Sequence, residues 1–306
     1  TPLFKFQPLT QAALCAALSL SAIQPAIGLQ NIYSTGDSYD WASQIHEVTV
    51  QGDDIAIGEA NAWNNGLFHI GTGTTQSVSI DELGLSNSRA DITGSVISIN
   101  QITGSWGSSL DARAGTSMTL GSSADSKGQP LIAGGAGSSI TLASGGSLVS
   151  YIEFSAQNGN SKEKPASLTL KTQDDIVQTL GAQTTRKGFS AVGHSSFEAA
   201  SENGSIVTNL GILASNDATV KLFARNGKVE LTSGSIDLVE NTYGQSSSVT
   251  VEARSLNIDQ GSVQVSAPLG PDWSQAKPDK KTKFTFEGGS LSAKSISGIT
   301  AMESQR

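Results

Sequence analysis

Two pairs of adjacent aspartates are the first candidates for chemistry in this sequence. Asp53-Asp54 and Asp174-Asp175 follow segments of nearly the same layout, VTVQGDD and LTLKTQDD. Two carboxylates at a suitable distance can act as general acid and general base, so Asp174 and Asp175 form the candidate catalytic pair. Aspartates also accept hydrogen bonds from backbone N–H groups at turns. We favour this second role, with the two pairs at equivalent corners of distant repeat units.

Two arginines occupy the same place in two similar segments. Arg225 lies in VKLFARNGKVEL and Arg254 lies in VTVEARSLNI. If these segments stack, the guanidinium groups form a short positive ladder that could hold a carboxylate or sulfate of a glycan. The alternative is that each arginine pairs with a nearby acid, such as Glu230 or Glu252.

A long segment, 266–283, combines an aromatic side chain with basic charge in an otherwise acidic protein, and its three prolines interrupt any strand pairing. It is therefore a candidate contact loop, with a flexible linker as the alternative interpretation. The binding candidates in this segment are Trp273, Lys277, Lys280 and Lys281, with Lys283 at its end.

The sequence gives little support for a metal site or for a catalytic nucleophile. The chain has three histidines and one cysteine, and although His46 and His69 could approach each other by stacking, no zinc-ligand spacing occurs. His194 precedes Ser195 without a Gly-x-Ser-x-Gly elbow, which favours an exposed turn. We expect no metal site and no cofactor.

Short segments of alternating apolar residues recur along the chain and must position these candidates. Each segment is followed by Gly, Asn or Asp, which tolerate the backbone angles of tight corners. The segments start 19 to 35 residues apart. Their first residues are Val48, Val78, Ile97, Met118, Ile140, Leu168, Phe197, Val220, Val249 and Phe284.

This repeat predicts an all-β solenoid. Alternation buries one side of each strand, and a unit of this length buries its apolar side only by stacking on its neighbours. Unequal separations indicate loops of different lengths. The alternative is a β-sandwich with antiparallel hairpins, but hairpin dipeptides such as Asn-Gly are few between alternating arms.

Composition narrows the function classes. Among 306 residues, 46 are Ser and 25 are Thr, only 15% are charged, and the net charge is -8. Nucleic-acid binding needs clustered Lys and Arg, so we expect no nucleic-acid partner.

The N-terminal segment has the layout of a secretory signal peptide. Lys5 precedes an apolar run from Ala12 to Ile23, and Ala26 and Gly28 suit cleavage after residue 28. The run is too short for a membrane helix, which needs about 20 residues. A lipidated Cys15 and a buried N-terminal helix are the alternatives. We therefore divide the chain into a signal peptide at 1–28, a lead-in or cap at 29–45 and a solenoid at 46–306, and we expect it to be a fragment of a longer gene product.

Ser-, Thr- and Gly-rich repeats of the form V-T-V-x-A-x-x-x-V-x-L after a signal peptide resemble the passenger region of bacterial autotransporters and filamentous-haemagglutinin-type adhesins. The resemblance covers roughly Val48 to Ser297 and rests on periodicity and composition. It implies a right-handed parallel β-helix at the outer surface of a Gram-negative cell. It also implies a partner, either a C-terminal or a separate outer-membrane β-barrel transporter.

Three functions are compatible with the sequence. The favoured one is a secreted, surface-displayed adhesin or structural stalk without enzymatic activity, whose partner is a glycan or protein on a host or neighbouring cell. The second is a carbohydrate-active enzyme on the same fold, a polysaccharide lyase or glycoside hydrolase that uses Asp174 and Asp175. The third is a passive spacer for an effector domain elsewhere in the gene product.

Overall fold

The chain is all-β. A computed structural model describes residues 30–35, 47–105, 107–122, 130–158, 162–181, 187–240, 246–266 and 282–297. These residues form 22 strands and no helix. In the same ranges, no helix has the length and apolar character needed to cross a membrane.

The strands are between 3 and 19 residues long. In chain order they are β1 (Gln30–Thr35), β2 (Glu47–Val50), β3 (Asp54–Trp63), β4 (Leu67–Ile70), β5 (Ser77–Ser86), β6 (Arg89–Ser105), β7 (Ser109–Leu120), β8 (Leu131–Gly134), β9 (Ser139–Ser144), β10 (Ser147–Ser150) and β11 (Phe154–Gln157). They continue as β12 (Ala166–Thr172), β13 (Ile176–Gln178), β14 (Phe189–Val192), β15 (Ser195–Ser201), β16 (Ile206–Thr208), β17 (Ile212–Ser215), β18 (Thr219–Leu231), β19 (Ile236–Val239), β20 (Ser248–Ser266), β21 (Lys283–Glu287) and β22 (Ser290–Ser297).

Every described pairing between these strands is parallel and joins residues about one repeat apart. The pairings place the strands on three faces that the chain visits in turn. Face 1 contains β2 and β4, face 2 contains the first part of β3 and of β5, and face 3 contains their last parts. One passage over the three faces is called a coil below. The antiparallel sandwich alternative is wrong, because the described residues contain no antiparallel pairing.

The predicted first residues of the segments can be compared, residue by residue, with the observed pairing of the strands. In seven of the nine steps, successive starts are direct parallel partners: Val78 with Ile97, Ile97 with Met118, and every step from Ile140 to Phe284. The other two steps are wrong because the series changes face. Val48 pairs with Phe68, and Met118 pairs with Leu148.

The apolar side of each strand forms the core between the faces. On face 2, one inward ladder runs without interruption from one end of the described stack to the other, and its first nine members are buried. Stacking removes from water the side chains that a lone coil would expose. The ladder is Ile55, Val78, Ile97, Met118, Leu148, Ile176, Ile206, Val229, Leu256 and Leu291.

Three phenylalanines form an aromatic cluster in this core. Phe154 and Phe189 are partners on face 3, with ring centroids 6.1 Å apart. Phe197 reaches them from face 1 and stacks on Phe189 at 5.0 Å. Large aromatic rings supply much buried area per residue, which a solenoid of small side chains needs.

A polar segment interrupts a second inward ladder of face 2. Ser150, Gln178 and Thr208 are consecutive partners, and all three are buried. Nε2 of Gln178 donates to the carbonyls of Ile152 and Gly188 at 2.8 and 2.9 Å. Oε1 of Gln178 accepts from the Thr208 hydroxyl at 2.7 Å. These bonds satisfy backbone groups of the turn beside the ladder.

The stacking extends beyond the predicted solenoid boundary. β1 lies inside the predicted lead-in at 29–45, and it already pairs in parallel with β3. The predicted signal peptide at 1–28 lies outside the described residues.

Candidate functional site

The corner between face 1 and face 2, called the first corner, carries four of the candidate residues that the structure describes, whereas Lys283 begins β21 on face 1. Asp174 and Asp175 lie between β12 on face 1 and β13 on face 2. Arg225 and Arg254 lie at the same corner of later coils, directly after the register partners Ala224 and Ala253. The fold therefore gathers four candidates that are up to 80 residues apart in the sequence.

The two aspartate pairs lie at equivalent corners, as predicted. Ile55 and Ile176, which follow them, belong to the same inward ladder of face 2. Oδ1 of Asp175 accepts the backbone N–H of Ser205 in the next coil at 2.7 Å. The Asp54 carboxylate accepts from the hydroxyl of Ser77. Asp175 thus accepts a backbone N–H group at a corner, which is the kind of contact that the turn-capping interpretation expects.

Arg225 pairs with one of the two acids proposed from the sequence. Its Nε donates to Oε2 of Glu252 at 2.7 Å. Its guanidinium also lies over the ring of Phe223, 5.8 Å from the centroid. Arg254 is exposed at the next coil.

The loop candidates Trp273, Lys277, Lys280 and Lys281 lie outside the described residues, which end at Ser266 before the loop and resume at Thr282.

The described histidines each contact carboxylates. His69 lies between Glu47 and Asp91, with nitrogen–oxygen distances of 3.5 and 3.3 Å. His194 lies in the predicted turn before β15, 3.6 Å from Asp217, but only 12% of its side chain is exposed, so the predicted exposure is wrong. The Ser195 hydroxyl is buried and donates to the carbonyls of Ala156 and Val192. It is therefore not available to His194 as a nucleophile.

A groove runs along the first corner. It consists of two adjoining cavities of about 560 and 460 Å³. Their linings adjoin where Arg113 and Ala114 of one coil pair with Ala143 and Ser144 of the next. We call the combined groove the corner trough. Its lining residues are Gly73, Thr93, Gly94, Ser95, Arg113, Ala114, Gly115, Thr116, Ala143, Ser144, Lys171, Thr172, Gln173, Ala200, Ser201, Glu202, Phe223, Arg225 and Asn226.

One outward ladder of face 1 forms a side of the corner trough. Its members are consecutive register partners, so they lie one strand spacing apart. Six such residues span about 24 Å along the stack. In order they are Thr93, Arg113, Ala143, Lys171, Ala200 and Phe223.

Two glycines at the first corner allow the backbones of adjacent coils to approach each other closely. A Cβ on Gly145 would lie 2.1 Å from the carbonyl oxygen of Gly115, and a Cβ on Gly146 would lie 2.1 Å from that of Thr116. These contacts are far shorter than any real Cβ contact, so the corner backbones of adjacent coils approach each other only because the side chains are absent.

Charges in the corner trough are balanced. Three cations line it: Arg113, Lys171 and Arg225. Arg113 donates to both carboxylate oxygens of Asp111 at 2.8 and 2.9 Å, and this hydrogen bond raises the pKa of Arg113 above its ordinary value. Glu252 pairs with Arg225, and Glu202 is itself in the lining. Three carboxylates therefore accompany the three cations.

Sequence reasoning missed Arg113, Lys171 and Phe223, although a signal was present. The ladder residue follows each face 1 start by three positions, as Lys171 follows Leu168 and Phe223 follows Val220. Alignment of the starts would have placed Lys171 and Phe223 in one row, but not Arg113, because no predicted start lies on face 1 of its coil. The alignment would not have shown how closely the corner backbones of adjacent coils approach each other, because this depends on contacts of the glycines.

Comparisons with known proteins leave the assignment to the geometry. No family model matches the sequence, and neither a curated protein nor a solved structure matches it.

Proposed function

We propose that the chain is a right-handed parallel β-helix that is exported and displayed at a bacterial cell surface, where it acts as an adhesin or structural stalk. The observation that carries the proposal is the uninterrupted ten-residue ladder of face 2. Ten rungs correspond to a rod of about 43 Å. A rod that lengthens by adding coils can hold a binding surface away from its attachment point.

Right-handedness is supported by a general rule. A strand that returns to a parallel strand of the same sheet does so with a right-handed connection in about 98% of cases. Each coil here is such a connection, for example from Phe197 to its partner Val220.

Export is supported by the nearest-neighbour character of the stack. Each coil contacts mainly the coil before and after it, so coils can form in order as the chain emerges from a membrane. The only cysteine, Cys15, lies in the predicted signal peptide. After cleavage, no thiol would remain to form a wrong disulfide in an oxidising compartment.

The geometry favours binding over catalysis at the first corner. The candidate acid–base pair needs carboxylates that are free to exchange protons with a substrate. Asp175 instead holds the turn of the next coil through Ser205. The corner trough beside it offers a long surface for contacts, and this arrangement suits an adhesin.

Protease treatment of intact cells tests the proposed location. The complete gene is expressed in a Gram-negative host, and peptides from residues 47–297 are followed by mass spectrometry, with a periplasmic protein as control. We expect release of these peptides while the control stays intact. Protection until the outer membrane is broken would contradict surface display.

A further inference from the structure

We propose that the corner trough binds an uncharged, unbranched glycan whose chain lies along the axis of the coils. This inference rests on the proposed binding function and names its ligand class. It is carried by the shape, charge and side-chain chemistry of the trough.

The shape suits a linear polymer. The trough continues over six ladder residues, from Thr93 to Phe223, and its repeat is one strand spacing of about 4.8 Å. An extended β-linked hexose advances by a similar length, so successive sugars can meet equivalent positions of successive coils. A compact ligand would use only part of this length.

The side chains suit sugar rings. Phe223 is half-buried, and the part of its ring that the Arg225 guanidinium does not cover can contact the apolar C–H side of a sugar. Ala143 and Ala200 leave room for the ring in the same row. Planar polar groups of Gln173, Glu202 and Asn226 stand beside this row. Amide and carboxylate groups of this kind can bond neighbouring sugar hydroxyls.

The charges select an uncharged chain. An acidic glycan would need cations that are free to meet it, but Asp111 and Glu252 already occupy Arg113 and Arg225. Glu202 adds a negative charge to the lining, and the whole protein carries a net charge of -8. Lys171 and Glu202 then offset each other, so the lining carries no net charge.

Binding of defined oligosaccharides to the purified chain tests the ligand class. The uncharged probes are cellohexaose, xylohexaose and mannohexaose, and the acidic probes are a hexagalacturonate and a heparin hexasaccharide. We expect at least one uncharged probe to bind with Kd below about 1 mM, and this affinity should change little between low and high salt because no net charge is neutralised. Tighter binding of an acidic probe, or no binding of any glycan, overturns the inference.

A matched pair of variants locates the binding. Ala200→Trp fills the middle of the corner trough, and Ala56→Trp places the same side chain on the exposed outer side of face 2. We expect Ala200→Trp to weaken binding by roughly tenfold or more, and Ala56→Trp to leave it unchanged. Equal loss in both variants, or no loss in Ala200→Trp, overturns the location.

A second pair tests the aromatic contact. Phe223→Ala removes the ring, and Leu213→Ala removes a half-buried apolar side chain from the outer side of face 3. Only Phe223→Ala should lose affinity, by roughly three- to tenfold. Thermal unfolding of each variant checks that the stack is intact. Retained affinity in a folded Phe223→Ala overturns the role of the ring.

These outcomes are separate from the test of the proposed function. The glycan measurements use purified protein and do not depend on surface display. A displayed protein that binds no glycan would leave the stalk standing, whereas a glycan-binding protein that stays in the periplasm would overturn the location alone.

Discussion

At the scale of single residues, Gln178 shows how a polar side chain is accommodated inside the stack. Its amide makes three hydrogen bonds in a buried position. An unpaired buried polar group lowers the free energy of unfolding by about 1–3 kcal/mol. A side chain of similar size that cannot make these hydrogen bonds should therefore destabilise the protein.

We therefore expect Gln178→Leu to lower the free energy of unfolding by about 1–3 kcal/mol, because the carbonyls of Ile152 and Gly188 and the Thr208 hydroxyl each lose one hydrogen bond. Urea titration followed by circular dichroism measures the change. The control is Gln264→Leu at an exposed position, which should alter the free energy by no more than about 0.5 kcal/mol. Equal stability of Gln178→Leu and the parent would contradict the assigned role.

At the scale of elements, the corner turns decide how closely adjacent coils stack. Gly145 lies between β9 and β10, and its backbone N–H donates to the carbonyl of Ala114 at 2.8 Å. Gly73 lies at the same corner nearer the start of the stack, and a Cβ there would meet no atom within 4 Å. Close packing of adjacent coils therefore requires a glycine at position 145 but not at position 73, although both positions lie at the same corner.

Gly145→Ala should destabilise the protein by about 1–3 kcal/mol, because the new Cβ forces the coils of Gly115 and Gly145 apart. Gly73→Ala should be neutral or more stable by up to about 1 kcal/mol, since alanine restricts the unfolded chain. Differential scanning calorimetry of both variants gives the comparison. A smaller loss for Gly145→Ala than for Gly73→Ala would be inconsistent with the described corner.

At the scale of the whole molecule, stability is expected to be a sum over coils and their interfaces. The coil that begins at Val78 is a regular one. Removal of Val78–Val96, 19 residues, joins Ser77 to Ile97 and lets Ile55 take Ile97 as its new partner. The inward ladder of face 2 remains continuous after this deletion.

We expect the 19-residue deletion to keep a strand-rich circular dichroism spectrum and one cooperative transition. A deletion one residue shorter, Val78–Ser95, starts the next strand at Val96 and turns Ile97 and Ile99 outward, because a shift by one residue exchanges the two sides of a strand. This variant should unfold at least about 4 °C lower than the other. Identical melting temperatures would argue against a stack held in register.

Much of the repeat could be predicted from the amino-acid sequence. Alternation marks the inward residue of each strand without reference to distant parts of the chain, and seven steps between predicted starts are direct pairings. The steps from Val48 and from Met118 were wrong because segments on different faces have the same local pattern. The alternating pattern shows that a strand has a buried side, but it does not show to which of the three faces the strand belongs.

Some residues of the candidate site could likewise be predicted from the sequence, and others could not. Asp175 and Arg225 were found from their types and positions, and their partners Ser205 and Glu252 follow from the stacking. Sequence reasoning overlooked Phe223, since an aromatic residue in a strand is ordinarily a core residue. Only the register showed that it faces outward, between Ala200 and Glu252.

The sequence by itself determined that this protein is built of short strands with one buried side, that its corners use Gly, Asn and Asp, and that its surface is poor in charge. Those properties depend on neighbouring residues, so they can be read locally. The tertiary structure alone decided the three faces, the alignment of distant corners and the depth of the trough. These depend on loop lengths and on contacts between residues 19 to 35 positions apart, which a single strand cannot record.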